Sequence, residues 1–334
     1  MGPAARDVVA VAERLLAVQA QDPRGARLAI RARSTRTSAA DVDRALTEDR
    51  SLVVTWLNRF TLHLVRAEDY PWLHAVTTPP LATANSRRLS QEGVDDDDAE
   101  RAVRTIRRTL EREGPSTRDH LADRVASAGV RTAGQAMIHL LALASLRGMI
   151  VRGPMVGGRH AYVLTRDWLP SSGRIDRERA MSELAFRYLA GHGPASDRDL
   201  AKWSGLPLGT CRTAFAAIAD RTRVDDGLMD LRRRRSIPVP PRTRLLGAFE
   251  PVLLGWSSRE EITGRHDATI VSGGLFRPFA FVGGRAAATW TLTEGRVRIG
   301  EPFERIGAGD RAALDVDAND VLRYLGFTGR PSAG

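Results

Sequence analysis

Two glutamines separated by a single residue, Gln19 and Gln21, are the side chains whose type and spacing most suggest chemistry. They follow an apolar run and precede Asp22-Pro23. Residues i and i+2 point to opposite sides of a helix but to the same side of an extended chain. Neutral amides are weak bases, yet they can orient a water molecule and present a partial negative charge to a cation. The pair therefore suits only a reaction whose leaving group departs without protonation.

The residues around the pair predict how it is held. Asp22 is a natural N-cap and Pro23 a natural first residue of a following helix, so the first helix is expected to end near Gln19. In the resulting junction, either both amides face one cleft, or one faces it and the other braces the backbone. Asp22 is a rival for activating water, although its place before proline favours capping. On the residues alone, a structural role at a helix end is the favoured interpretation of both glutamines.

Bulk composition indicates a globular protein with an anionic partner. The 334 residues carry a net charge of +10, which favours nucleic acid as that partner. Codon bias can explain why the basic residues are almost all arginine, but not their excess over acids. The single cysteine, Cys211, excludes a disulfide or a cysteine zinc site within one chain. No cofactor, metal site, signal peptide or membrane span is expected, so the sequence predicts a cytoplasmic protein.

A repeat organises the middle of the chain. "GPSTRDHLA" at 114–122 aligns without gaps with "GPASDRDLA" at 193–201. In each copy glycine is expected to end one helix, and Thr117 or Ser196 to cap the next. A further helix and a β-hairpin follow, and three helices before a hairpin form the winged-helix pattern. A third, less clear copy can be argued at the N-terminus.

The predicted fold class is α+β, with tandem winged-helix domains and a C-terminal small β-barrel-like domain that ends in a helix. The linker "IPVPP" and the glycine pairs at 273–274 and 283–284 support this change to short strands. The predicted boundaries are three winged-helix units at 1–90, 91–175 and 176–236, and the β-domain at 237–334.

Several side chains are predicted to line a cleft or contact DNA. In "RFTLHLV", strand alternation places Leu62 and Leu64 with Phe60 on one face and Thr61 and His63 on the other. The predicted set of cleft and DNA-binding residues is Arg59, Thr61, His63, Arg159, Arg232, Arg233 and Arg277. Ordinary positions on a half-exposed sheet are the alternative for Thr61 and His63, and a solvated wing turn is the alternative for Arg159. A solvated linker is the alternative for the basic run 232–235.

Four stretches together resemble a known family. They are "LLAVQAQ", "WLNRFTLHLVRAEDYPWL", "LLGAFEPVLLGW" and "SGGLFRPFAFVGGRAAATW", in that order along nearly the whole chain. The set is similar to the HTH_42 family of winged-helix DNA glycosylases, relatives of the enzyme that protects azinomycin producers. The resemblance implies excision of N7-alkylated purines from double-stranded DNA, including bulky natural-product adducts and interstrand crosslinks. It places the catalytic motif on Gln19-Ala20-Gln21. Family members usually carry glycine where this chain has Phe60.

The resemblance makes the amide chemistry coherent. An N7-alkylguanine is cationic and leaves as a neutral base, so no acid is required. The only lysine, Lys202, is not expected near the site, which disfavours a Schiff-base lyase. The sequence therefore predicts a monofunctional glycosylase that acts as a monomer. The alternatives are a non-catalytic winged-helix DNA-binding protein or transcription regulator, and a relative that binds adducts without cutting.

Overall fold

The computed structural model describes residues 4–171, 173–233 and 242–327. Within these residues, none of the helices is both long and apolar enough to cross a membrane. Short 3-10 turns lie at Ala219–Arg221 and Gly264–His266. The α-helices are α1 Val8–Leu15, α2 Pro23–Arg31, α3 Ala39–Thr47, α4 Tyr70–Thr77, α5 Leu81–Gln91, α6 Asp96–Glu113, α7 Arg118–Ser127, α8 Ala136–Leu146, α9 Thr165–Trp168, α10 Arg177–His192, α11 Asp197–Ser204, α12 Leu208–Ala216, α13 Pro251–Leu254, α14 Glu260–Thr263, α15 Asp267–Ile270 and α16 Ala308–Tyr324.

The strands form one larger sheet, one four-stranded sheet and two hairpins. The six-stranded sheet has the order β1-β3-β2-β5-β6-β4, and the four-stranded sheet has the order β14-β13-β12-β9. The strands are β1 Val18–Gln19, β2 Leu52–Leu57, β3 Thr61–Arg66, β4 Ser116–Thr117, β5 Ile150–Val156, β6 Arg159–Leu164, β7 Thr222–Asp225, β8 Leu228–Leu231, β9 Arg244–Leu246, β10 Val271–Ser272, β11 Leu275–Phe276, β12 Phe279–Val282, β13 Arg285–Thr293 and β14 Arg296–Ile299.

The repeated segment folds as its sequence predicts. Helices α6 and α10 end immediately before Gly114 and Gly193. Thr117 caps α7 by accepting a hydrogen bond from the His120 amide at 3.4 Å. Ser196 caps α11 through the Asp199 amide at 3.2 Å. A further helix and a hairpin follow each copy, α8 with β5–β6 and α12 with β7–β8.

The six-stranded sheet connects the first two predicted units. Strand β2 from the first pairs with β5 from the second, with Val54 opposite Arg152. The proposed boundary between 90 and 91 falls in the last turn of α5, and one hydrophobic cluster contains residues from both sides of it. That division therefore stays an interpretation of the repeat. The boundary at 236/237, with the "IPVPP" linker, lies outside the described residues.

Both faces of this sheet are buried. Leu62 and Leu64 pack in a cluster with α1, α2, α3, α6 and α8, and Phe60 packs against the same cluster, as strand alternation predicts. Val53, Leu57 and Val65 point to the other face, where α4, α10, α11 and α12 cover them. A polar side chain on that second face is consequently enclosed by helices and needs a hydrogen-bonding partner there.

The C-terminal part is the four-stranded sheet with α16 packed on it, and the helix lies where the sequence predicts one. The glycine pairs at 273–274 and 283–284 have positive φ and form the turns of hairpins β10–β11 and β12–β13, also as predicted. Arg31 at the end of α2 binds Asp317 of α16, at 2.7 Å. The β-domain is thereby tied to the helix that follows Gln19-Ala20-Gln21.

Candidate active site

The chain is extended at Gln19, and Ala20 continues the strand pairing, but Gln21 lies at a bend, and the helix before this segment ends earlier than expected. Helix α1 stops at Leu15 instead of near Gln19, because Leu16 has a left-handed φ of 64°. The chain then pairs as β1 with β3, placing Gln19 opposite His63. The Ala20 amide continues the pairing by donating to the Leu62 carbonyl at 2.7 Å.

Asp22 and Pro23 begin α2, which confirms the capping interpretation. The Asp22 carboxylate accepts a hydrogen bond from the Gly25 amide at 2.9 Å, and Pro23 is the first helical residue. A Cβ on Gly25 would lie 2.3 Å from the Ala248 carbonyl oxygen. The "LLGAF" backbone therefore packs directly on the first turn of α2, and this close approach explains why glycine is required there.

Gln19 is buried, with 6% of its surface exposed, and its amide orientation follows from its partner. Its Oε1 accepts a hydrogen bond from Nη2 of Arg59 at 3.1 Å. A guanidinium can only donate, so the carbonyl end of the amide must face Arg59. The Nε2 group, with its two N–H donors, is held on the opposite side.

Gln21 is exposed and also binds the β2–β3 hairpin. Its Oε1 accepts a hydrogen bond from the Leu62 backbone amide at 3.3 Å. The side chain thus acts as the next carbonyl of the β1–β3 ladder, and the donor again determines which end of the amide faces inward. Each glutamine oxygen keeps a second lone pair. Of the two predicted arrangements, the structure has Gln21 bracing the backbone while its donors remain open to solvent.

Arg59 joins this hairpin to α11. Its Nη1 donates to the backbone carbonyls of Lys202, at 3.0 Å, and of Trp203. Within the described residues no carboxylate pairs with Arg59; the negative end of the α11 dipole faces it instead. Burial lowers the pKa of Arg59. A Cβ on Gly205 would lie 2.8 Å from the Arg59 amide nitrogen, so α11 ends in contact with the hairpin.

Lys202 is closer to the glutamines than the sequence predicted. Its carbonyl binds the same guanidinium that holds Gln19, although the two residues lie far apart in the chain. The sequence predicted that Lys202 lies away from the site, and this is wrong for its backbone carbonyl, which contacts Arg59. Its side chain is exposed.

His63 is enclosed beside Gln19, with 2% of its surface exposed. Nδ1 lies 3.0 Å from the Thr61 carbonyl, which can only accept, so Nδ1 carries the proton. Burial first, and then the positive charge of Arg59, together lower the pKa of His63 to about 3. His63 is therefore neutral, and a cationic contact with phosphate does not fit this position.

The sequence comparison decides the family. The family model described as "DNA glycosylase AlkZ-like" matches residues 12–324 of the chain. The chain belongs to this family. As a DNA glycosylase it is a hydrolase of N-glycosyl bonds, which confirms the enzyme class that the sequence motifs predicted.

Two comparisons with known proteins cover almost the whole chain. This chain is 26% identical over 359 residues to an interstrand DNA cross-link repair glycosylase from Streptomyces sahachiroi, and the alignment covers 98% of this chain and 93% of the relative. The solved structure of Streptomyces sahachiroi DNA glycosylase AlkZ superposes with a TM-score of 0.77 at 22% identity, covering 98% of this chain and 93% of that one. The second comparison shows that the fold is shared.

Phe60 is an unusual residue for its backbone conformation. Its φ is 62°, in the left-handed region that glycine adopts freely and that costs a bulky side chain about 1–2 kcal/mol. The glycine that the resemblance led us to expect would fit here without strain. The glycosylase instead stacks the Phe60 ring on His139 of α8, with centroids 5.5 Å apart. Packing thus offsets the strain.

The other predicted DNA-contacting residues lie on separate hairpins. Only Arg59, Thr61 and His63 belong to the hairpin that contacts the glutamines. Arg159 is at the β5–β6 turn, ion-paired with exposed Asp119, and Arg277 donates to the Thr269 carbonyl at 2.7 Å. Arg232 and Arg233 follow β8 and are exposed, while the rest of the basic run, 234–235, lies outside the described residues. The DNA contacts of all seven residues stay predictions.

Proposed function

We propose that the glycosylase is monofunctional and hydrolyses the N-glycosidic bond of N7-alkylated purines in double-stranded DNA, including bulky adducts and interstrand crosslinks. The observation that carries this proposal is that the described groups around the glutamines include no free acid or base, and that the one nearby cation, Arg59, is held by Gln19 and by backbone carbonyls. Two amides and a neutral His63 surround the site, and Asp22 is engaged as a helix cap. Such a site suits a substrate that already carries a good leaving group. The name of the 26% identical relative supports crosslinks as substrates.

The proposed reaction needs no acid. The C1′–N9 bond breaks with its electron pair going to the cationic purine, which departs as a neutral N7-alkylated base. Water adds to C1′ of the oxocarbenium-like sugar and releases one proton to solvent. The protein's task is to hold that water and to favour the developing positive charge with fixed dipoles.

The two glutamines divide this task. Gln21 is exposed, so its amide is the one that reaches water and sugar; the spare lone pair of Oε1 accepts from the attacking water. Gln19 is buried behind it, with its Nε2 donors directed away from Arg59. Arg59 is then a positioning residue, which acts through Gln19 and through the end of α11.

Duplex binding is the second part of the proposal. The two repeated sets of helices and hairpins, with the N-terminal helices and β2–β3, act as winged-helix units that form a basic surface for DNA. Because these units differ and lie in one chain, the protein acts as a monomer. It works in the cytoplasm, without a cofactor.

The test is release of base from a duplex that contains one N7-methylguanine. Wild-type protein should create abasic sites, and Gln21→Ala should reduce the single-turnover rate by about 100-fold, the effect of removing one preorganised dipole. Gln91→Ala is the matched control, because that glutamine is exposed like Gln21 and its Oε1 also accepts one hydrogen bond, from Arg88 at 2.8 Å, but it lies on α5.

Two further results distinguish the alternatives. Gln21→Glu keeps the acceptor oxygen and replaces the two-donor NH2 group by a second, negatively charged acceptor oxygen, so a retained rate would show that the acceptor does the work. Tight binding with no base released, from N7-methylguanine and from a crosslinked duplex alike, would instead identify a non-catalytic DNA-binding protein.

A further inference from the structure

A second region with unmatched positive charge lies at the far end of α2 from the glutamines. A cavity of about 610 Å3 opens there between α2, β9 and α16. Five arginines and two aspartates contribute to its wall, and the hydroxyl groups of Ser34, Thr35, Thr37 and Thr243 line it as well. The wall therefore combines excess positive charge with hydroxyl donors.

Both carboxylates in this cavity are already engaged. Arg31 donates to Asp317 at 2.7 Å and to Asp320 at 2.8 Å. Arg323 also donates to Asp320, at 2.7 Å. These pairs engage the acidic side chains and leave the other arginines of the wall without a carboxylate in direct contact among the described residues.

Three arginines remain: Arg36, Arg242 and Arg244. Within the described part of the chain, none of their guanidinium groups forms an ion pair. Arg244 is half-buried, and burial is the largest cause that lowers its pKa. The negative charges of Asp317 and Asp320 oppose this shift, while the positive charges of Arg31 and Arg242 add to it. Cations crowded together in a partly desolvated place are stabilised most effectively by a multivalent anion.

Two buried donors on the wall also lack partners. Nε of Arg31 and the hydroxyl of Tyr324 make no hydrogen bond with any residue that the structure describes, and both side chains are almost fully buried. Leaving a buried donor unpaired costs about 1–3 kcal/mol, so such groups are expected to have an acceptor in the functional state. A ligand with several acceptor oxygens would satisfy the charges of the three arginines; the two donor atoms are enclosed, so they can reach such a ligand only if the wall shifts.

We propose that this cavity is a phosphate-binding site and that its ligand is a backbone phosphate of the DNA on which the glycosylase acts. Arginine forks match phosphate oxygens in charge and geometry. Helix α2 has nine residues and so spans about 13 Å, which corresponds to about four base pairs along a duplex. If the duplex runs along α2, the phosphate held in the cavity lies about four nucleotides from the lesion. This inference rests on the proposed function only in taking DNA as the ligand.

The first test measures how affinity for an undamaged duplex depends on salt. The affinity constant K for DNA falls as salt rises, because each phosphate contact releases counterions. Replacing Arg36, Arg242 and Arg244 together by glutamine should make the negative slope of log K against log salt shallower by at least about 1. The matched control replaces Arg285, Arg296 and Arg298, which are exposed on the same domain, and should leave the slope unchanged. The single variant Arg36→Gln changes an exposed side chain and so tests the site without risk to folding.

The second test locates the contact. In a duplex with one abasic-site analogue, single phosphates are replaced one at a time by neutral methylphosphonate linkages. Linkages about four nucleotides from the analogue should weaken DNA binding by the wild-type protein but not by the triple variant. Equal salt slopes for both triple variants, or interference that persists in the first variant, would overturn the proposal. A calorimetric titration with inorganic phosphate tests whether the ligand is free phosphate instead of DNA. If the triple variant loses phosphate binding while its DNA binding is unchanged, the proposal is also overturned. None of these measurements depends on base excision.

Discussion

Arg59→Met removes the guanidinium that connects Gln19 to the end of α11 while it retains much of the side-chain volume. Hydrogen bonds to Gln19 Oε1 and to the Lys202 and Trp203 carbonyls are lost. Each bond to a charged donor contributes about 1.5–3 kcal/mol, but removing a buried cation offsets part of this loss. We expect the free energy of unfolding to fall by about 1–3 kcal/mol.

The effect on excision follows from the single bond to Gln19. If the whole free energy of this hydrogen bond, about 1.5–3 kcal/mol, serves to orient Gln19 in the transition state, its loss lowers the rate about 10- to 150-fold, at about 1.4 kcal/mol per tenfold. The assay is single-turnover release of N7-methylguanine at saturating protein, with the Kd for DNA measured separately. The rate should fall while Kd and its salt dependence stay unchanged. Arg59→Lys, which keeps the charge but not the fork, should recover part of the rate.

A double-mutant cycle completes this test. If Arg59 acts through Gln19, then Gln19→Ala should cause little further loss in an Arg59→Met background. The reasoning is refuted by either of two results. One is full additivity of the two substitutions. The other is a weaker Kd with a smaller salt slope and an unchanged saturating rate, which would make Arg59 a direct phosphate contact.

Three further outcomes are expected. The pKa of His63 is about 3 in the folded protein and near 6.5 in an unfolded chain, so the unfolded state gains a proton first as pH falls. Urea melts should therefore show that the free energy of unfolding falls by about 1.4 kcal/mol per pH unit below about pH 6.5. A His63→Asn variant with an equally steep profile would contradict this origin. Phe60→Gly relieves the left-handed strain and removes an aromatic ring from the hairpin, so the excision rate for bulky adducts relative to methyl adducts should rise several-fold. The control is Phe249→Gly, because Phe249 also has a left-handed φ, of 54°. An unchanged ratio for Phe60→Gly counts against a role in substrate fit. Because the Lys202 side chain is exposed and not desolvated, borohydride should trap no covalent DNA complex; trapping that disappears in Lys202→Ala would show lyase activity.

The sequence by itself determined the local structure around the glutamines. Spacing predicted an extended segment, which the structure has at Gln19 but not at Gln21, and Asp22-Pro23 predicted the start of α2. The repeat predicted the helix ends at Gly114 and Gly193. These features depend on backbone hydrogen bonds and steric preferences within a few residues, so they are legible in the order of the residues.

The tertiary structure alone decided which groups meet the glutamines. Gln19 faces Arg59, and Arg59 faces the carbonyl of Lys202, because the β2–β3 hairpin packs on the end of α11. Nothing in the spacing of these residues encodes that contact. The early end of α1 has the same origin: pairing with β3 offers the chain after Leu16 a set of hydrogen-bond partners that no local signal predicts. Burial then makes His63 neutral, because an enclosed charge loses hydration that the sequence cannot reveal.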